Sequence, residues 1–255
     1  MVKAILEAAG TPSAAFEARQ LEKAGLGEEA ARRRAAGEPL QYILGEWDFY
    51  GRTFLCREGV LIPRPETELL AEAALAYLDQ NATAADLGCG TGCIGLTLAA
   101  ETGCAVTLFD IAPEPLALAA ENAKKLGITT ADIRRRSILE GPGGQKWDVV
   151  VSNPPYIKTG DLGALQPEVR REPILALDGG ADGLDFYRAI AALWVPAADR
   201  ALLLEVGAGQ VKAVADMLAG QGKVRTQKDY AGIPRIVVLE KQNICSKPIA
   251  NRAPV

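Results

Sequence analysis

The sequence states its chemistry most directly in Val149-Val150-Val151-Ser152-Asn153-Pro154-Pro155-Tyr156. An apolar run ends and a stiff polar tetrapeptide follows at once. The two prolines carry no backbone N–H and fix φ, so what remains is acceptors: the Asn153 side-chain oxygen and the Pro154 carbonyl. Such a pair can receive both hydrogens of one planar NH2 group, with Pro155 keeping the turn rigid and Tyr156 stacked against the plane. Holding a nitrogen in this way is catalysis by orientation. The chain has no histidine, which excludes Ser-His-Asp and Cys-His mechanisms, a histidine general base and every histidine-ligated metal.

A second stretch, Ala84-Ala85-Asp86-Leu87-Gly88-Cys89-Gly90-Thr91-Gly92-Cys93-Ile94-Gly95, is a candidate cofactor loop. Its glycines allow a tight turn and a close backbone approach. A helix start beyond them offers free N–H groups and a positive dipole end. On the loop alone two cofactors compete. Gly90-x-Gly92-x-x-Gly95 matches the dinucleotide fingerprint, with Asp110 at a distance suited to a ribose. Asp86-x-Gly88-x-Gly90-x-Gly92 resembles the first motif of S-adenosylmethionine methyltransferases, in which the carboxylate lies beside the methionine part. A nitrogen held at Asn153 would then be aimed at a methyl group. Cys89 and Cys93 flank the loop, but two thiols without partners do not make a zinc site, and no metal is expected.

These residues need strand ends to sit on. From residue 82 strand and helix patterns alternate. Strands are predicted at 83–86, 105–110, 132–136, 147–152, 201–206, 224–229 and 235–240. Helices are predicted at 92–101, 113–126, 186–195 and 210–221. Such alternation implies an α/β fold with a mostly parallel sheet covered on both faces. Ligands bind outside the carboxyl ends of such strands, near the point where strand order reverses. Upstream, 13–24 and 27–36 read as two short helices divided near Gly25. Residues 37–62, with aromatic and β-branched residues between glycines, read as a hairpin-like connector. Pro65 opens a helix running to about Leu78. Residues 242–255 read as a frayed tail.

With 255 residues and 49% hydrophobic content, one large domain plus a small appendage is expected. The net charge of −4 argues against a dedicated nucleic-acid binder. Arg32-Arg33-Arg34 and Arg134-Arg135-Arg136 read as solvated faces. No run has the length of a membrane span, and the first residues carry no signal-peptide block. Five cysteines without a C-x-x-C pair imply reduced thiols, hence a cytoplasmic protein.

Taken together, the motifs resemble the HemK/PrmC family of release-factor glutamine N5-methyltransferases. The resemblance runs from about Gly37 to Glu240. It covers Gly-Glu-Pro-Leu-Gln-Tyr-Ile-Leu-Gly at 37–45, Leu-Ile-Pro-Arg-Pro-Glu-Thr-Glu at 61–68, the glycine loop and Asn153–Tyr156. It continues through Glu172-Pro173, Ala176-Leu177, Gly179-Gly180 and Glu205-Val206-Gly207. It implies a seven-stranded Rossmann-like methyltransferase sheet over 63–241, preceded by a small helical substrate-docking domain at 1–36. It implies S-adenosylmethionine as methyl donor, with Gly88, Cys89, Gly90, Thr91 and Gly92 lining its methionine and ribose end. Asp110 would hold the ribose hydroxyls and Ile138 would pack on adenine. Asn153, Pro154, Pro155 and Tyr156 would hold the substrate amide, Asn153 also lying near the cofactor. The implied substrate is the glutamine of a Gly-Gly-Gln segment in class I peptide chain release factors. The alternative, methylation of a nucleobase amino group, shares the loop and Asn-Pro-Pro-Tyr. Two features depart from the family pattern. Ser137-Ile138 stand where an acidic and a bulky residue are common, and the helical segment before Gly37 is short.

Overall fold

A computed structural model of the chain describes residues 1–241; the tail expected at 242–255 lies outside the described residues. Three short helices come first: α1 (Val2–Ala8), α2 (Ala14–Lys23) and α3 (Glu28–Ala35). Sequence reading missed α1, whose seven residues bury only Val2 and Leu6 and so carry little periodic signal. Helix α4 (Leu40–Leu44) and the hairpin β1 (Glu46–Phe49) and β2 (Arg52–Leu55) follow. Leu6, Leu21, Ala31, Leu40 and Ile43 form a small apolar cluster that reaches as far as Trp47.

The main sheet has seven strands: β3 (Thr83–Leu87), β4 (Ala105–Asp110), β5 (Ala131–Arg135), β6 (Trp147–Ser152), β7 (Ala198–Glu205), β8 (Lys223–Lys228) and β9 (Pro234–Glu240). Their order is β5-β4-β3-β6-β7-β9-β8. Strands β3 to β7 pair in parallel, while β9 runs antiparallel to both β7 and β8. That reversal follows from a tight β8–β9 connection, where the Asp229 carboxylate accepts from the N–H groups of Ala231 and Ile233 at 2.9 and 2.8 Å. Helices α5 (Pro65–Leu75), α6 (Cys93–Thr102) and α7 (Pro113–Lys125) cover one face; α8 (Asp185–Ala189) and α9 (Val211–Leu218) cover the other. Strand residues alternate between the two cores: Val149 and Val151 on the first, Val150 on the second, as a period of two demands.

Sequence reading expects one helix over 186–195. Here α8 passes into a single wide turn, Ile190–Trp194, and then a tight one, Val195–Ala197. Pro196 has no N–H to continue an α-helical ladder, and the irregular turn buries Trp194 completely. Trp194 stacks obliquely against Phe109 and Trp147, with centroids 5.5 and 6.0 Å away, and its Nε1 donates to the Ile138 carbonyl at 2.8 Å.

Candidate active site

The chain leaves β3, builds outward through β4 and β5, then returns to the other side of β3 as β6. Strand order therefore reverses between β3 and β6, the place where a crevice opens at the carboxyl ends. The glycine loop leaves β3 there and Asn153 leaves β6. Leu87 and Ser152 lie in register, and the Ser152 hydroxyl donates to the Leu87 carbonyl at 2.7 Å. The two loops are thereby fixed side by side.

A cavity of about 210 Å³ opens between them. Gly88, Cys89, Gly90, Thr91, Asp110, Ile138, Asn153 and Pro155 line it. Gly92, Pro154 and Tyr156 lie outside its wall. Gly92 starts α6 with φ 80°, and a Cβ there would press on Leu96, Ala119 and Leu108 at 3.0–3.3 Å, so it faces the helix–sheet packing. Tyr156 is half-buried behind the turn, its ring pressed on Gly207, where a Cβ would stand 3.0 Å from Cδ2. Gln210 donates to the Tyr156 carbonyl at 2.9 Å, and Gly179 lies so close that a Cβ would come within 2.7 Å of the Pro155 carbonyl. The Asn-Pro-Pro-Tyr turn is held rigid from behind by two elements far along the chain.

The carboxylates on β4 and β3 have distinct settings, Asp110 at the cavity and Asp86 buried beneath the loop. Asp110, at the end of β4, accepts from the N–H groups of Gly90 at 3.1 Å and Ala112 at 3.2 Å. Burial raises its pKa against those hydrogen bonds. Asp86 is fully buried; one oxygen accepts from Gly95 N–H at 2.9 Å and the other has no partner. Burial pushes Asp86 up to about 7, the Gly95 hydrogen bond opposing and the charge of Asp110 adding. Burial likewise pushes the Cys89 and Cys93 thiols up. Cys56, Cys89, Cys93 and Cys104 are free and buried, in the protonated, unreactive form.

The departure at Ser137-Ile138 has a structural cause. The Ser137 hydroxyl accepts from Leu139 N–H at 3.2 Å and caps the tight turn Ile138–Glu140. That cap and the Trp194 hydrogen bond hold Ile138, which stands 3.8 Å from the position of a Cβ on Gly88. Ile138, Leu139, Ile111 and Pro115 give the cavity an apolar end suited to a purine. Space above Gly88 and Gly90, an acceptor at Asp110 and this apolar end match the parts of S-adenosylmethionine.

Several site residues had no assigned role in the sequence reading. Asn153 Nδ2 donates to Thr67 Oγ1 at 3.2 Å. Asn122 on α7, wholly buried, donates to the Thr91 carbonyl at 2.9 Å and the Leu55 carbonyl at 3.3 Å. Its Oδ1 accepts from Leu55 N–H at 2.7 Å, which ties the glycine loop to the hairpin. Glu172, buried, accepts from Ile62 N–H at 3.0 Å and from Arg64, and thereby fixes the wall formed by Val60, Ile62 and Pro63. Thr67, Glu172 and Glu205 fall within the motifs quoted above; Asn122 gives no signal beyond one amide on an apolar helix face. Among the described residues no group of acidic or cysteine side chains is placed to hold a metal, and no helix is long and apolar enough to cross a membrane.

Residues 65–167 match the family described as "Methyltransferase small domain". A release factor glutamine methyltransferase of Geobacter sulfurreducens is 45% identical over 215 residues, covering 80% of this chain and 74% of its own. One of Cereibacter sphaeroides is 47% identical over 217 residues, covering 82% and 77%. Among solved structures, the hMettl16 catalytic domain in complex with MAT2A 3'UTR hairpin 6 superposes with a TM-score of 0.64. At 16% identity over 86% of this chain and 84% of that one, the likeness is one of fold. The seven-stranded sheet is thus the α/β Rossmann-like sheet of S-adenosylmethionine-dependent methyltransferases.

Proposed function

From the premise that the chain belongs to the release factor glutamine methyltransferase family, we propose that it methylates the side-chain amide nitrogen of the glutamine in the Gly-Gly-Gln segment of class I peptide chain release factors. We also place it in the cytoplasm, where thiols such as its own stay reduced. The observation that carries the reading is the orientation of Asn153. Its Nδ2 is engaged by Thr67, which leaves Oδ1 as a bare acceptor at the cavity wall.

An amide nitrogen is a poor nucleophile because its lone pair is delocalised into the carbonyl. S-adenosylmethionine supplies, when bound, an electrophilic methyl on a sulfonium and a good leaving group. Asn153 Oδ1 and the Pro154 carbonyl accept the two amide hydrogens and aim the lone pair at the methyl carbon. As the nitrogen–carbon bond forms and the carbon–sulfur bond breaks, positive charge grows on nitrogen and these two acceptors stabilise it. One N–H proton then leaves to water, and no strong base is required. Each preorganised acceptor of this kind is worth about 2–4 kcal/mol in the transition state. Tyr156, packed behind the turn against Gly207, and Pro155 keep the acceptors fixed. Asp110 holds the ribose, Gly88, Cys89, Gly90, Thr91 and Gly92 shape the loop around the methionine end, and Ile138 packs on adenine.

The test is incubation with S-adenosylmethionine and a class I release factor, then mass spectrometry. One methyl on the Gly-Gly-Gln glutamine, lost in Asn153→Ala, supports the reading. Methylated adenine in DNA with the release factor untouched overturns it.

A further inference from the structure

The polar contacts behind Asn153 run in one direction. Asn153 Nδ2 donates to Thr67 Oγ1 at 3.2 Å. Thr67, buried on the first turn of α5, lies within hydrogen-bonding reach of the Glu205 carboxylate at the end of β7. Glu205 is 3% exposed, and its Oε2 has no hydrogen-bond partner. Nothing in the family reading above gives this carboxylate a task.

A carboxamide has two nearly isosteric ends. Turned by 180°, Asn153 would present an NH2 group to the cavity instead of an oxygen. An NH2 there would repel the substrate amide, which also offers hydrogens. The charge at Glu205 breaks this symmetry. An ionised carboxylate has no proton to give, so the Thr67 hydroxyl must donate to it. The Thr67 oxygen then has only lone pairs to offer Asn153. Asn153 must meet it with Nδ2, and Oδ1 is left on the substrate side.

We propose that Glu205 is a positioning residue: acting through Thr67, it sets the polarity of the Asn153 carboxamide so that its oxygen faces the substrate amide. The proposal rests on the reading that Asn153 accepts from an amide NH2.

The surroundings bear on when Glu205 is charged. Burial pushes it up to about 7; the Thr67 hydrogen bond and the charges of Arg235 on β9 and Arg64 before α5 act downward, and Glu66 on α5 acts upward. Tyr156 and Tyr187 also face it, the Tyr187 hydroxyl donating to its backbone carbonyl at 2.9 Å, as does the protonated Cys93 on α6. Once protonated, Glu205 can itself donate to Thr67. The Thr67 proton is then free to turn to Asn153, and the chain of donors can reverse.

The experiment measures kcat and KM on intact release factor at saturating S-adenosylmethionine, across pH 6–9, for wild type, Glu205→Gln, Thr67→Val, Thr67→Ser and Asn153→Ala. A carboxamide turned round removes one of two aligning acceptors, a loss of about 10²–10³ when complete. Glu205→Gln should therefore lower kcat by at least about tenfold, with KM and S-adenosylmethionine affinity unchanged. The wild-type fall in kcat toward acid, centred near 7, should vanish in Glu205→Gln. Thr67→Val should behave as Glu205→Gln does, and Thr67→Ser, which keeps the hydroxyl, should restore kcat. A purely structural role would instead lower the melting temperature and cofactor affinity without removing the acid limb. Should Glu205→Gln fail to fold, the Thr67 pair decides. Normal kcat in Glu205→Gln or Thr67→Val, with Asn153→Ala inactive, refutes the relay and leaves the proposed function standing. An active Asn153→Ala overturns the function itself.

Discussion

Gly95 on α6 offers a direct test of why the glycine loop reads as it does. A Cβ at this position would lie 2.3 Å from Leu108 Cδ2, 2.9 Å from Val106 Cγ2 and 3.1 Å from Asp86 Cβ. Leu108 is fully buried and Val106 is stiff at χ1, so neither can move aside freely. Gly95→Ala must lift α6 off β3 and β4. Overpacking a filled core costs about 1–3 kcal/mol, and three simultaneous contacts put this case at the upper end. Alanine returns about 1 kcal/mol through its helix preference, so the net loss is about 2 kcal/mol. In a protein of this size that lowers the melting temperature by about 4–8 °C. The lift also pulls the Gly95 N–H from the Asp86 oxygen it meets at 2.9 Å, so affinity for S-adenosylmethionine should fall in parallel. Differential scanning calorimetry and titration calorimetry on the same samples read both effects. Gly160→Ala is the control: a Cβ there meets nothing within 4 Å, and the change should stay within about 0.5 kcal/mol. A Gly95→Ala protein that melts at or above wild type would refute the packing argument.

Asp110→Ala should weaken S-adenosylmethionine binding at least tenfold, since each charge-assisted hydrogen bond is worth about 1.5–3 kcal/mol; titration calorimetry reads this, and the same titration with NAD should show no tight binding. Asp86 and Glu205 keep their protons up to about 7 when folded but lose them near 3.8 and 4.5 when unfolded. The folded state therefore binds more protons in that window, and these two groups make stability fall as pH rises from about 4 to about 7. Urea titrations should show the stability of Asp86→Asn relative to wild type increasing across that window, and a flat difference would contradict it. Arg34 donates to Glu17 at 2.6 Å and to Glu168 at 2.8 Å, with all but a tenth of its side chain buried. Arg34→Ala strands the Glu17 charge, a loss of about 3–5 kcal/mol, and limited proteolysis should then cut first within residues 1–45.

What could be read in advance followed from local chemistry. Strands β3, β4 and β6 announced themselves because apolar runs end at Asp86, Asp110 and Ser152, each within one residue of the end of its strand. The glycine loop was legible because positive φ at Gly88, Gly90 and Gly92 is a property of the chain itself. Less was visible where packing decides. Helix α1 is too short to show a period, and the irregular turns after α8 exist to bury Trp194 against Phe109 and Trp147. Ser137 looked like a substitution for an acidic residue. In the fold it is a cap, and its function depends on a turn that the sequence does not display.

The site itself shows a sharper division. Asn153 is identified by its neighbours in sequence, two prolines and a tyrosine, because their effect on the backbone is local. The groups that hold the cavity wall around Asn153 are not local. Thr67 lies 86 residues away along the chain, and Glu172 reaches Ile62 and Arg64 across 110 and 108 residues. Each is a buried polar side chain on an otherwise apolar element, and such a group is costly unless a partner is brought to it. The partners are supplied by the order of the strands: β6 beside β3 and β7 beside β6 carry Asn153 and Glu205 to the same edge, and α5 lays Thr67 between them. Buried polar residues within the motifs of a sheet edge are thus the sequence signal for a site's supporting contacts, and the topology decides which of them meet.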